Sequence, residues 1–206
     1  MIERLTEADH AAVGRVLVEA YADYAGRMGA VEWPRLSEGL VQAAGRLTDA
    51  EIAGVRGPTS LDAVVFYFPP GKSDGVIFPR AWASLRLLGV AHAARGRGLS
   101  RRLTEWCIVR ARCEGATHIG LHTSEAMATA RGLYQRMGFV VDGVLPMNFG
   151  LRYWRFRLDL AGRMIMAIRR IAVEEAFVFM DGAKVTEDER KQIYETKAVR
   201  VFKLKA

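Results

Sequence analysis

The stretch Leu85-Arg86-Leu87-Leu88-Gly89-Val90-Ala91-His92-Ala93-Ala94-Arg95-Gly96-Arg97-Gly98-Leu99-Ser100 decides how this chain is read. Its first six residues close a β-prone run, residues 81–90, that reads as a central buried strand. Beyond the glycines, Leu99, Leu103, Trp106 and Cys107 recur at helical spacing, while Arg101, Arg102 and Arg112 can point to water. A strand that enters a glycine-rich turn and then a helix builds an anion site. The glycines let successive backbone N–H groups converge, and the helix N-terminus adds its orphan donors and positive dipole end. Arg95 and Arg97 are expected to supply full charges for phosphate oxygens. Two phosphate loops are excluded: no GxxxxGK[ST] occurs, and Arg101 stands where a dinucleotide loop needs its third glycine.

Outward from this centre, the pattern alternates strands and helices. Residues 2–5 suit an edge strand. Thr6 is a plausible N-cap for a helix with Val13, Leu17, Ala20, Tyr21 and Tyr24 on one stripe, ended by Gly26 and Gly29. Pro34 opens a second helix marked by Leu36, Leu40 and Ala43 or Ala44. Residues 51–55 and 63–68 read as a hairpin, bounded by Gly57-Pro58 and Pro69-Pro70-Gly71. Downstream, residues 118–123 form a strand, and Ser124 caps a helix carrying Met127, Ala130, Leu133, Tyr134 and Met137, with Gly138 just past its end. Residues 139–145 and 151–160 close the body as two strands. The expected fold class is mixed α/β (α+β), a single mixed sheet with helices on both faces.

Residues 161–206 have a different texture and form a short C-terminal extension. Lys72 is the only lysine before them, yet they hold five, and they carry ten basic against seven acidic residues. Residues 176–180 and 198–204 look strand-like around a polar helical stretch, and their apolar content suits a homodimer. Their role is unreadable from sequence.

Composition bounds the rest. Half of the 206 residues are apolar and about a quarter charged, as in ordinary globular domains. No run of 18 apolar residues reads as a membrane span, and the acidic start lacks a signal-peptide pattern, so the expected location is cytoplasmic. Cys107 and Cys113 on one helix lie about 9 Å apart, beyond disulfide reach, and no Cys/His spacing suits a metal. The net charge of +7 is mostly arginine spread along the chain. It fits a basic surface with one anion site better than a nucleic-acid face, for which no motif occurs.

Two ordered motifs now resemble a known superfamily, the GCN5-related N-acetyltransferases (GNAT). Residues 87–100 resemble its motif A, R/Q-x-x-G-x-G/A after a strand, with Arg95, Gly98 and Ser100 in the three defined positions. Ser100 replaces the usual Gly or Ala, and His92 stands where many members have Pro. Residues 130–139 resemble motif B, A-x-x-L-Y-x-x-x-G-F. The resemblance covers residues 1–160 and implies an acetyl-CoA-binding acetyltransferase domain. It implies that the backbone of Arg95, Gly96, Arg97, Gly98, Leu99 and Ser100 holds the CoA pyrophosphate. It also implies that Leu88, Gly89 and Val90 pair with the pantetheine arm, and that Tyr134 protonates the departing thiolate. The implied activity is direct transfer of acetyl from acetyl-CoA to an amine on a small molecule or peptide. The alternative is a catalytically impaired CoA-binding module.

Read from the residues alone, Tyr134 shares a stripe with Ala130 and Met137 and suits core packing equally well. Met127, where many members have an Asn, suits the core. An attacking ammonium must first lose a proton, and the candidates to take it are Glu125 beyond a strand end, His122 within that strand, and Glu32 near the first helices. Tyr21, Tyr24, Trp33 and Trp82 could line an acceptor cleft.

Overall fold

A computed structural model describes residues 1–160; the C-terminal extension and its expected strands lie outside the described residues. The element order is β1 (Ile2–Arg4), α1 (His10–Ala22), α2 (Glu32–Arg46), β2 (Glu51–Arg56), β3 (Leu61–Phe68), β4 (Ala83–Val90), α3 (Leu99–Cys113), β5 (His118–Ser124), α4 (Ala128–Arg136), β6 (Val140–Asn148) and β7 (Leu151–Asp159). One seven-stranded sheet runs in the order β1-β2-β3-β4-β5-β7-β6, and every pairing is antiparallel except β4 with β5. The mixed sheet with helices on both faces is the expected architecture. Among the described residues, no helix is long and apolar enough to cross a membrane.

Two cores flank the sheet. On one face Leu99, Leu103, Cys107 and Ala111 of α3 and Tyr134 of α4 pack on Val65, Tyr67, Leu85 and Leu121. On the other, Val13, Val16 and Leu17 of α1 and Leu40, Ala43 and Ala44 of α2 pack on Val64, Phe66 and Phe68. β3 is buried along its whole length because both faces are covered, which is why its sequence is almost continuously apolar.

Three local details differ from expectation. Thr6 caps only a 3-10 turn, in which the Asp9 carboxylate accepts the Thr6 N–H at 2.9 Å, and α1 begins at His10. Pro34 lies in the first turn of a helix that starts at Glu32, where its missing N–H costs nothing. Ser124 does not cap α4: it is the buried last residue of β5, and the helix begins four residues later.

The 14 residues between β3 and β4 fold back over the sheet and seat Phe78 against β5. Asp74 organises this loop. Its Oδ1 accepts the N–H groups of Val76, Ile77 and Phe78 at 2.9–3.2 Å, and its Oδ2 accepts Arg86 Nη2 at 2.5 Å. Phe78 is completely buried, which contributes about 2–3 kcal/mol. Its ring lies where Gly120 has no side chain: a Cβ there would sit 2.5 Å from the Phe78 ring. Gly120→Ala should therefore destabilise by about 1–3 kcal/mol, read as a lower thermal midpoint, and Gly120→Ala combined with Phe78→Leu should cost less than the two changes summed. Strict additivity would mean that Phe78 does not occupy this seat.

Candidate functional site

β4 and β5 are joined by only two residue pairs, Ala83 with Ile119 and Ser84 with Gly120. Beyond them the strands part, although both continue for several residues. On its other side β4 carries a bulge: Val64 pairs with Gly89 and Phe66 with Arg86, so β4 has one residue more than β3 over that interval. Within it Leu87 takes a left-handed conformation, φ 49°, costing about 1–2 kcal/mol for a residue with a Cβ. The second half of β4 thus has one edge free of strand partners in the middle of the sheet. Leu88 and Val90 line the resulting cleft, while Gly89 turns toward α1, where a Cβ would lie 3.2 Å from both Leu17 and Ala20.

The cleft has a volume of about 660 Å³ and is walled by the end of α1, the β4–α3 loop and the length of α4. Gly96 and Gly98 take φ of 76° and 74°, which lets the chain turn without a Cβ, and a Cβ at either would meet open space. Gly98 is the N-cap of α3. Among the described residues the N–H groups of Gly96, Arg97, Gly98, Leu99 and Ser100 have no protein acceptor. Five consecutive unpaired donors at the start of a 15-residue helix form an anion cradle of the expected kind.

The loop arginines behave differently from expectation. Arg95 Nη1 is held by Asp23 Oδ2 at 2.6 Å, and Arg97 Nη1 by Asp62 Oδ2 at 2.7 Å. His92 joins the same acidic edge of α1, its N–H donating to Glu19 Oε1 at 2.6 Å. These carboxylates anchor the loop to α1 and β3, so Arg95 and Arg97 shape the cradle rather than present bare charge. Arg97 is absent from the cleft lining.

α4 contributes Met127, Ala130, Leu133 and Tyr134 to the cleft, so Met127 faces the cleft and is not core. Tyr134 is only 7% exposed and packs edge-on to Phe139, with ring centroids 5.8 Å apart. Its ring is part of the core and its residue also lines the cleft. Burial raises its phenol above the ordinary 10, and Cys107 and Tyr24 add to the shift, so the O–H stays protonated throughout the neutral range. Tyr21 and Tyr24 line the cleft too, with rings 6.1 Å apart. Trp82 instead stacks on His118 at 4.9 Å, and Trp33 is outside the lining.

The cleft lining that includes Tyr134 does not include Glu125. The Glu125 carboxylate accepts the Arg152 N–H at 3.0 Å and its own N–H donates to Arg152 O at 2.9 Å, stitching the β5–α4 turn to β7. Those contacts follow from β7 lying beside β5, a pairing the sequence order did not disclose. His122 stands two residues past the last β4–β5 pair, on the face opposite Tyr134, between the rings of Phe78 and Tyr153. Its Nδ1 is buried without a protein partner, as is one carboxylate oxygen of Glu32.

Residues 63–139 match the family model described as the acetyltransferase (GNAT) family. That match spans both expected motifs, residues 87–100 and 130–139. A mycothiol acetyltransferase of Beutenbergia cavernae is 28% identical over 103 residues, 46% of this chain; the chain spans about a third (35%) of that relative's length. Among solved GNAT-fold structures, a GCN5-related N-acetyltransferase from Kribbella flavida is 23% identical with a TM-score of 0.59, covering 78% of this chain and 97% of its own. YncA of Salmonella typhimurium, solved with its cofactor acetyl-CoA, is 20% identical with a TM-score of 0.56, over 78% and 93%. The described residues share their fold with these structures.

The environment of His122 makes a prediction about stability. Burial, reinforced by the Arg86 charge and opposed by Asp74, pushes its pKa from 6.5 down to about 4; Arg155 of β7 shares its face and Tyr153 its ring contact. The unfolded chain binds this proton more readily, so the contribution is full above pH 6.5 and is lost as pH falls through 4, by up to about 3 kcal/mol. His122→Gln should flatten that limb in urea unfolding at pH 7 and pH 4.5. Parallel losses in both proteins would contradict a neutral buried imidazole.

Proposed function

We propose that this protein is an acetyl-CoA-dependent N-acetyltransferase acting on an amine of a small molecule or peptide. The observation that carries the reading is the convergence on one cleft of a partnerless strand edge, five unpaired loop N–H groups and the buried phenol of Tyr134. These residues fit the donor part by part. A pyrophosphate suits the N–H cradle of Gly96 to Ser100 and the positive end of α3, in open space that a side chain at Gly98 would fill. A pantetheine arm, with its amide groups, suits the free edge of β4 beside Leu88 and Val90.

When bound, acetyl-CoA supplies the acetyl thioester that the acceptor's amine attacks. Tyr134 donates its O–H toward the departing sulfur, and burial keeps that proton in place until it is needed. The cradle holds the phosphates, and α1 and α4 exclude water from the walls of the cleft. The proton an ammonium acceptor must lose has two unoccupied takers, His122 and Glu32, each with a buried polar atom lacking a partner. Glu125, whose Oε1 accepts the Arg152 N–H, keeps a second carboxylate oxygen and is a third candidate. We place the acceptor on the His122 face, reached through the split between β4 and β5.

Two variants test this. Gly98→Glu places a carboxylate in the cradle and should abolish the several-degree stabilisation that saturating acetyl-CoA gives the parent. Tyr134→Phe should bind acetyl-CoA within a few-fold of the parent while kcat on an amine falls about 10²–10³-fold. Unchanged turnover would remove Tyr134 from the chemistry. Binding with no transfer to any amine of a broad panel would favour the CoA-binding module instead.

A further inference from the structure

The loop that cradles phosphate has no uncommitted cation of its own. Arg95 is neutralised by Asp23 and Arg97 by Asp62. In the first turn of α3, Arg101 lines the cleft but is shared with Glu105 at 3.5 Å. The third arginine of the cleft lining lies on the opposite wall. Arg136, in the last turn of α4, lines the cleft, is solvent-exposed, and pairs with no carboxylate among the described residues. Its guanidinium folds back along the helix over Gly132, where a Cβ would lie 3.2 Å from Nη1. A glycine inside a nine-residue helix weakens it by about 1 kcal/mol relative to alanine. Here that glycine leaves the groove in which the guanidinium rests.

CoA carries two phosphate groupings of different character. The pyrophosphate is matched by backbone N–H donors in a row. The 3′-phosphate on the ribose is a compact dianion, the kind of group that planar guanidinium donors bind in pairs. Backbone amides are already engaged by the first, and one unneutralised arginine stands across the cleft from them. We infer that Arg136, seated over Gly132, recognises the 3′-phosphate of the donor and makes this protein discriminate CoA from its 3′-dephosphorylated form. The inference rests on the reading of the cleft as a CoA site.

The test is equilibrium binding of CoA and of 3′-dephospho-CoA to the full chain, in the parent, Arg136→Ala, Arg136→Lys and Arg131→Ala. Arg131 serves as the control because it is engaged over the Trp154 ring at 5.0 Å and lies outside the cleft. The parent should prefer CoA about 10- to 100-fold, the worth of a charged hydrogen-bonded contact. Arg136→Ala should erase that preference by weakening CoA alone, Arg136→Lys should restore part of it, and Arg131→Ala should leave both affinities unchanged. Thermal midpoints without ligand check that Arg136→Ala is folded. Equal weakening of both ligands would place Arg136 on the pyrophosphate and overturn the inference. An unaltered preference in Arg136→Ala would overturn it as well. A parent that binds neither ligand would sink the donor-site reading itself, a distinct result from a parent that binds CoA normally.

Discussion

A parallel strand pair that holds for two residues and then opens is the constraint on which the rest of this structure depends. A central strand normally satisfies its backbone on both sides, because an unmet buried N–H or C=O costs about 1–3 kcal/mol. Here β4 meets β3 on one side through a bulge and, past Ser84, has no strand on the other. The left-handed Leu87 is strain stored at that point. The Phe78 loop packs on β5 where the pair still holds, braced by Asp74 and Arg86. The sheet is thus rigid up to the split and open beyond it, and the opening is available for an extended ligand to complete β4.

The electrostatics of the cleft depend on backbone more than on side chains. Net charge is +7, yet the two arginines inside the glycine turn are neutralised by Asp23 and Asp62. Those ion pairs are partly exposed, so each is worth little as stabilisation. Their geometric effect is larger, since they tie the turn to α1 and β3 and leave its N–H groups facing one volume. Free arginine charge enters from α4, along a helix whose glycine gives the guanidinium a place to lie.

Several residues read differently in three dimensions because their roles are set by neighbours distant in sequence. Glu125 is tied to Arg152 by a backbone N–H because β7 comes between β5 and β6, a contact its place in the sequence does not show. His122 was equally legible as a core histidine or a proton acceptor. The structure makes it neutral and leaves one nitrogen without a partner, a property of packing by Phe78 and Tyr153 that no local pattern encodes. Gly132 and Arg136 carried no signal of their own, because a helical i, i+4 pair of this kind is common on solvent-facing surfaces.

The amino-acid sequence by itself determined the alternation of elements, the apolar stripes that bury α1 to α4, the glycine turn before α3 and the tyrosine on α4. These are local properties, written in periodicities of two and 3.6 residues and in the few residues that tolerate positive φ. Tertiary structure alone decided where β4 and β5 part, which arginines are neutralised, and which polar groups are left without partners. Those depend on strand order and on contacts between residues tens of positions apart, and short-range pattern holds no record of them.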